Sequence, residues 1–212
     1  MTKISLRLNA VADFVERDSR IIDIGCDHGL LDVYLAINKN CTCLATDISK
    51  ICLEKAKENI KKYKLENKIN TKVANGLEEI DYESYDYTII TGMGFNTIKK
   101  ILENKEPNKL IIQSNNNIED LKRYLFKKYK LKNEKVVFEN GIYYVILYLE
   151  KGKKKYKYSD YIVGLNKNNY KYINYLYDKH KKIYSKMPNK YVFQKLKLYR
   201  KICILKKYMK KH

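Results

Sequence analysis

Long apolar runs are absent from this 212-residue chain. No stretch of 18 consecutive apolar residues occurs, which excludes a membrane-spanning helix. The start lacks the basic-then-apolar pattern of a signal peptide, so a cytoplasmic location is expected. Paired cysteines are lacking too. The five present, Cys26, Cys41, Cys43, Cys52 and Cys203, are odd in number and nowhere spaced C-x-x-C. Neither a disulfide framework nor a metal site is expected from them. Cys41 and Cys43 fall on one face of a candidate strand, as small core residues do. Acids are scarce after Glu150: residues 151–212 hold 20 Lys and Arg against only Asp160 and Asp178, a net of +18. Residues 1–150 hold 24 against 22, a net of +2. Lys, Asn, Ile and Tyr are abundant throughout, as an AT-rich genome encodes, but that bias does not explain the loss of acids. The last segment also carries 11 of the 21 tyrosines. Basic residues interleaved with aromatics are the footprint of nucleic-acid binding.

The densest signal that is present runs RIIDIGCDHGLL, Arg20–Leu31, with Asp47 closing the next apolar run. A β-branched strand stops at Gly25, a polar turn follows, and a helical pattern opens at Leu30. Glycines there let backbone N–H groups approach a ligand, and an acid ending the second strand can take both hydroxyls of a ribose. A nucleoside-containing cofactor is therefore expected. It is not a dinucleotide, because Asp27 and Leu30 stand where the later glycines of G-x-G-x-x-G would fall. A phosphate loop G-x-x-x-x-G-K-[ST] is missing as well. The remaining pattern, Asp23-x-Gly25-x-x-x-Gly29, resembles motif I of S-adenosylmethionine-dependent methyltransferases, with Asp27 in place of the middle glycine. That cofactor has no phosphate and carries two cationic groups, so nearby carboxylates such as Asp23 and Asp27 suit it.

Residues 4–16 read as a helix. Strand candidates follow at 20–25, 42–46, 69–74, 86–91 and 109–113, and helix candidates at 30–38, 50–63, 95–103 and 117–129. Such alternation predicts a parallel sheet with helices on both faces. Two more strands, 134–139 and 142–149, flank the hairpin signal Asn140-Gly141. The expected fold class is α/β: a Rossmann-like, seven-stranded class I methyltransferase sheet. After a basic linker, Lys151–Lys157, helical spacing recurs from Ile162 to Tyr184 and, beyond Pro188, from Val192 to Leu205. An antiparallel, coiled-coil-like helical hairpin is expected. The division is residues 1–150 as cofactor-binding catalytic domain and 151–212 as basic helical hairpin for nucleic acid.

Four further segments carry a more specific resemblance: Ser5-Leu6-Arg7-Leu8, Asn75-Gly76-Leu77, Thr91-Gly92-Met93-Gly94 and Gln113-Ser114-Asn115. In this order, with the Asp23–Leu31 motif and the basic C-terminal helices, the whole chain resembles the bacterial tRNA adenine-22 N1-methyltransferase family. Phe95 replaces a second glycine, Ser114 a proline and Asn75 an acid of that pattern. The resemblance implies S-adenosylmethionine as cofactor and tRNA as partner. It implies a cofactor site of Arg7, Asp23, Gly25, Asp27, His28, Gly29, Asp47, Ile48, Asn75, Gly76, Gly92 and Met93, and a reaction site of Gly92, Met93, Gly94, Phe95, Asn115 and Asp27.

The chemistry of these residues allows alternatives. Gly92–Gly94 either exposes backbone to a flat base, with Phe95 as stacking face, or is a tight turn with Phe95 in the core. His28 is an acid–base group or a pin for its turn. Asp27 holds the methionyl amine or contacts substrate. Arg7 reaches a phosphate, the cofactor carboxylate or a surface acid. Adenine N1 already has a lone pair, so alignment matters more than a general base. Its Watson–Crick edge is hidden in a stem, so the base must be splayed out, and the tRNA held by shape and phosphates. Other functions left open are methylation of another RNA or of DNA, and non-catalytic RNA binding on this scaffold.

Overall fold

A computed structural model describes residues 3–165 and 167–209. The chain divides into two compact units, Met1–Lys154 and Lys155–His212.

The first unit alternates helix and strand: α1 (Leu6–Ala12), β1 (Arg20–Ile24), α2 (Leu30–Lys39), β2 (Thr42–Asp47), α3 (Lys50–Lys62), β3 (Ile69–Val73), β4 (Tyr87–Met93), α4 (Phe95–Ile101), β5 (Lys109–Ser114) and α5 (Ile118–Leu125). A hairpin of β6 (Tyr129–Glu139) and β7 (Ile142–Lys151) completes it. The seven strands form one sheet in the order β3-β2-β1-β4-β5-β7-β6, with β7 antiparallel to β5. Ile21, Ile22, Ile89, Ile90, Leu110, Ile111 and Ile112 are fully buried. Strands covered on both faces take such continuous apolar runs rather than alternation. Chain order reverses between β1 and β4, and a ligand crevice forms where neighbouring loops leave in opposite directions.

Two sequence expectations need correction in this unit. The first helix is shorter than residues 4–16: Ser5 caps it by accepting from the Leu8 amide, and it ends at Ala12. The helix expected over 117–129 ends at Leu125, and Tyr129 already begins β6. Leu121 and Leu125 are buried at helical spacing, whereas Tyr129 and Leu131 are buried at a spacing of two. The change of period marks the element boundary. At the Asn140-Gly141 turn both residues take positive φ, 50° and 79°, as a two-residue hairpin requires. Lys122 Nζ and Glu134 Oε1 meet at 2.7 Å, joining α5 to β6, with side chains 2% and 0% exposed.

The second unit holds α6 (Tyr158–Ile162), α7 (Tyr170–Lys186) and α8 (Val192–Tyr208). Ile162, Val163, Ile173 and Leu205 form its small core. Ile162 and Leu165 do not belong to the hairpin's first helix, as their spacing had predicted. The chain breaks at Gly164, φ +72°, and Asn169 recaps the helix by accepting from the Tyr172 amide. Asn166 and residues 210–212 of the expected C-terminal segment lie outside the described residues. Among the described residues no helix is long and apolar enough to cross a membrane.

Candidate active site

The motif I turn is built by local conformation. Gly25, Asp27 and Gly29 all have positive φ, +72°, +53° and +66°. Asp27 therefore adopts the left-handed conformation that a glycine would otherwise supply, and aspartate is among the few residues that tolerate it. At Gly29 a Cβ would stand 3.1 Å from the Ala56 methyl, so this glycine lets α2 approach α3. The turn is pinned by Asn59, whose side-chain amide donates to the His28 carbonyl at 2.9 Å. The imidazole itself stands 3.4 Å from the exposed Asp27 carboxylate.

Two cavities meet at Gly25. The first, about 420 Å³, lies between the ends of β1, β2 and β4 and the helix α4, lined by Asp47, Ile48, Asn75, Gly76, Met93 and Ile101 among others. Asp47 is held in place by two backbone donors, Ser49 N–H to Oδ1 at 2.8 Å and Asp27 N–H to Oδ2 at 3.3 Å. Each oxygen keeps a second lone pair. Gly76 is packed so closely that a Cβ would approach Ile101 Cγ1 to 2.9 Å. The Asn75 amide donates to Glu78 at 2.9 Å.

The second cavity, about 410 Å³, is lined by Arg7, Asp23, Asp27, Gly92, Asn115 and Tyr144, with His28 beside them. Met93, in the wall of the first cavity, places its terminal methyl in the space a Cβ on Gly25 would take. A cycle of hydrogen bonds organises the second cavity. Gln113 Oε1 accepts from Arg7 Nη1 at 3.0 Å and from the Gly92 amide at 3.1 Å. Gln113 Nε2 donates to Asn115 Oδ1 at 3.0 Å, and Asn115 Nδ2 donates to the Gly92 carbonyl at 2.6 Å. Gln113 is wholly buried, so its amide sets the direction of its neighbours. The Arg7 guanidinium lies 5.7 Å from the Tyr144 ring centroid. Its helix is anchored at the far end of the sheet: the Leu6 and Arg7 amides donate to the two oxygens of Glu139 at 2.8 and 3.4 Å.

Asp23 is the electrostatic centre. It is 3% exposed, and its Oδ1 meets no donor among the described residues. Burial raises its pKa from the ordinary 3.8 to about 7, with Asp47 adding to the rise and Asp32 and Arg7 opposing it. Asp32, fully buried on α2, is likewise pushed up by burial and by Asp23. Two such acids side by side titrate as a pair.

Gly94 and Phe95 line neither cavity. Phe95 opens α4, its amide donating to Asn116 Oδ1 at 2.9 Å and its ring 6.4 Å from Tyr124, edge to face. Ser114, in the proline's place, donates to the Asn116 carbonyl at 2.7 Å and so closes the same loop. Sequence reasoning missed Gln113, Tyr144 and the α4 face of Thr97, Lys100 and Ile101. The α4 face had a signal, its spacing of three and four. Tyr144 had none, because it reaches the site only through sheet pairing.

The arrangement has a nucleoside-sized cavity with an acid at its mouth, joined to a polar cavity with a second acid, an arginine and a fixed amide. A methyltransferase-domain family model matches residues 4–147. The chain is 32% identical over 165 residues to the tRNA (adenine(22)-N(1))-methyltransferase of Bacillus subtilis, spanning 74% of this chain and 68% of that one. It superposes on M. capricolum TrmK, solved with S-adenosylhomocysteine, at TM-score 0.84 and 30% identity over 97% of both chains. Streptococcus pneumoniae Sp1610, solved with S-adenosyl-L-methionine, gives TM-score 0.86 at 26% identity over 98% of this chain and all of that one.

Proposed function

This chain belongs to the bacterial tRNA adenine-22 N1-methyltransferase family, and on that premise we propose how its own residues serve methylation of N1 of adenine 22 in tRNA. The observation that carries the reading is the pair of cavities meeting at Gly25. S-adenosylmethionine, the cofactor, supplies an electrophilic methyl group on a sulfonium. The residues fit it: Asp47 presents free lone pairs to a ribose, and the donor-less Asp23 Oδ1 suits a methionyl ammonium. Gly76, Ile48 and Ile101 give the first cavity apolar walls for the adenine ring.

The methionyl end of the cofactor enters the second cavity at Asp23, and the substrate base takes the rest of it, with Tyr144 as its aromatic wall. The exocyclic N6–H is accepted by the remaining lone pair of Asn115 Oδ1, which Gln113 holds in orientation. The N1 lone pair then forms the new bond to carbon while the carbon–sulfur bond breaks. The positive charge passes from sulfur to the methylated base, and no proton need leave N1. Catalysis is thus alignment, with the Asp27 carboxylate and its His28 neighbour facing the developing cation. The basic second unit, with 17 Lys and Arg against two acids, a net of +15 over residues 155–212, holds the tRNA.

The test is methyl transfer to tRNA bearing adenine or guanine at position 22, read by nucleoside mass spectrometry. 1-Methyladenosine is expected only in the adenine form. Equal labelling of both, or labelling only of ribosomal RNA or DNA, overturns the substrate assignment.

A further inference from the structure

The tip of the α7–α8 hairpin carries an apolar patch that the catalytic reading does not use. Val192, Leu196 and Tyr199 lie four and three residues apart, on one stripe of α8. Tyr184 faces them from the last turns of α7. With Asn189 and Lys195 they line a cleft of about 460 Å³. The two tyrosine rings stand 6.0 Å apart, tilted by 42°. Lys195 Nζ lies 5.3 Å from the Tyr184 centroid and donates to Asn189 Oδ1 at 2.6 Å. Leu196 and Tyr199 are 60% and 54% exposed. Leu198 and Leu205, on the other side of α8, are buried, so the patch is not the hairpin's own core.

Charge identifies the occupant. Residues 179–212 hold 13 Lys and Arg and no acid. A second copy of so cationic a surface is repelled, and an apolar partner leaves the charge unanswered. A nucleotide of a single strand answers both features, with a flat π-face for the rings and a phosphate for the lysines.

We propose that this cleft binds an unstacked base of the tRNA, its face on the exposed Tyr199 ring, which Tyr184 backs, and its edge on Val192 and Leu196. Lys195, Lys186 and Lys190 serve the flanking phosphates. The site is separate from the cavity that receives adenine 22, and its assignment to tRNA rests on the proposed function above.

The experiment uses the full chain and three variants, Tyr199→Ala, Leu196→Ala and Tyr199→Phe, with helical content by circular dichroism as the check that the hairpin is folded. Binding of tRNA and of an unstructured single-stranded RNA is measured at several salt concentrations. Tyr199→Ala and Leu196→Ala are each expected to weaken both RNAs about 10-fold, or about 1.4 kcal/mol. The slope of log K against log salt stays unchanged, because stacking releases no counterions. Tyr199→Phe keeps the affinity, because the ring and not the hydroxyl does the stacking. If the tRNA reading fails but the cleft is right, the single-stranded RNA still loses affinity in the variants while no tRNA is methylated. Unchanged affinity for both RNAs with helical content intact overturns the proposal. So does a loss confined to phosphatidylserine vesicles, or a wild-type dimer that the variants dissociate.

Discussion

Asp23 and Asp32 place two carboxyls out of water beside one ligand cavity, and this makes the site sensitive to protons. With its pKa raised to about 7, Asp23 holds a proton in the folded ligand-free chain that the unfolded chain releases near 3.8. Stability therefore falls as pH rises from about 4 to about 7, since over that window the folded state binds more protons. Cofactor affinity moves the opposite way, because a cationic ammonium favours the ionised acid. Calorimetric titration between about pH 6 and pH 8 should show affinity rising with pH, and Asp23→Asn should flatten the profile and lower its plateau. A wild-type profile already flat would remove Asp23 from the ammonium site. At this scale the places of Asp23, Gly25 and Asp47 in the cavity walls were legible in the sequence because they follow from strand ends. Gln113 was visible only as part of a motif. Its role is a cycle of hydrogen bonds among β4, β5 and α1, and no local pattern encodes that.

A buried contact between α5 and β6 fastens the antiparallel hairpin to the helix beside the sheet. Removing Lys122 takes its ammonium from beside the Glu134 carboxylate in a site closed to solvent. Lys122→Ala is expected to cost about 3–5 kcal/mol, and Lys122→Met with Glu134→Leu far less, since buried pairs are often replaceable by apolar groups of similar volume. Urea unfolding of the single and double variants decides it. Equal losses in both would mean that packing volume, not charge, sets the cost. The parallel strands were legible because unbroken Ile and Leu runs have few other solutions. The boundary of α5 and β6 was not, because Leu125–Leu131 fits a helix or a strand until sheet pairing chooses. The break at Gly164 was hidden in the same way, by apolar residues whose spacing continues across it.

Each unit has its own apolar core, one spanning Ile4 to Ile146 and one built on Ile162, Ile173 and Leu205. A chain ending at Lys154 should therefore fold and bind cofactor while losing most tRNA affinity. If about five phosphate contacts come from the second unit, the slope of log K against log salt flattens by about 3.5–4.5. Binding isotherms of the full and shortened chains at several salt concentrations test this, and parallel lines of equal affinity would place tRNA binding in the first unit alone. The charge asymmetry was legible in the sequence, but the two faces of α8 were not, since Leu198 and Tyr199 look equally apolar. The anchoring of Arg7 through Glu139 has a consequence in time. The first helix is synthesised first but acquires its seat 133 residues later. At about 5–20 residues per second, the nascent chain carries that helix without its Glu139 anchor for roughly ten seconds. The second cavity is thus completed late, when the last hairpin brings Glu139 to the first helix and Tyr144 to its wall.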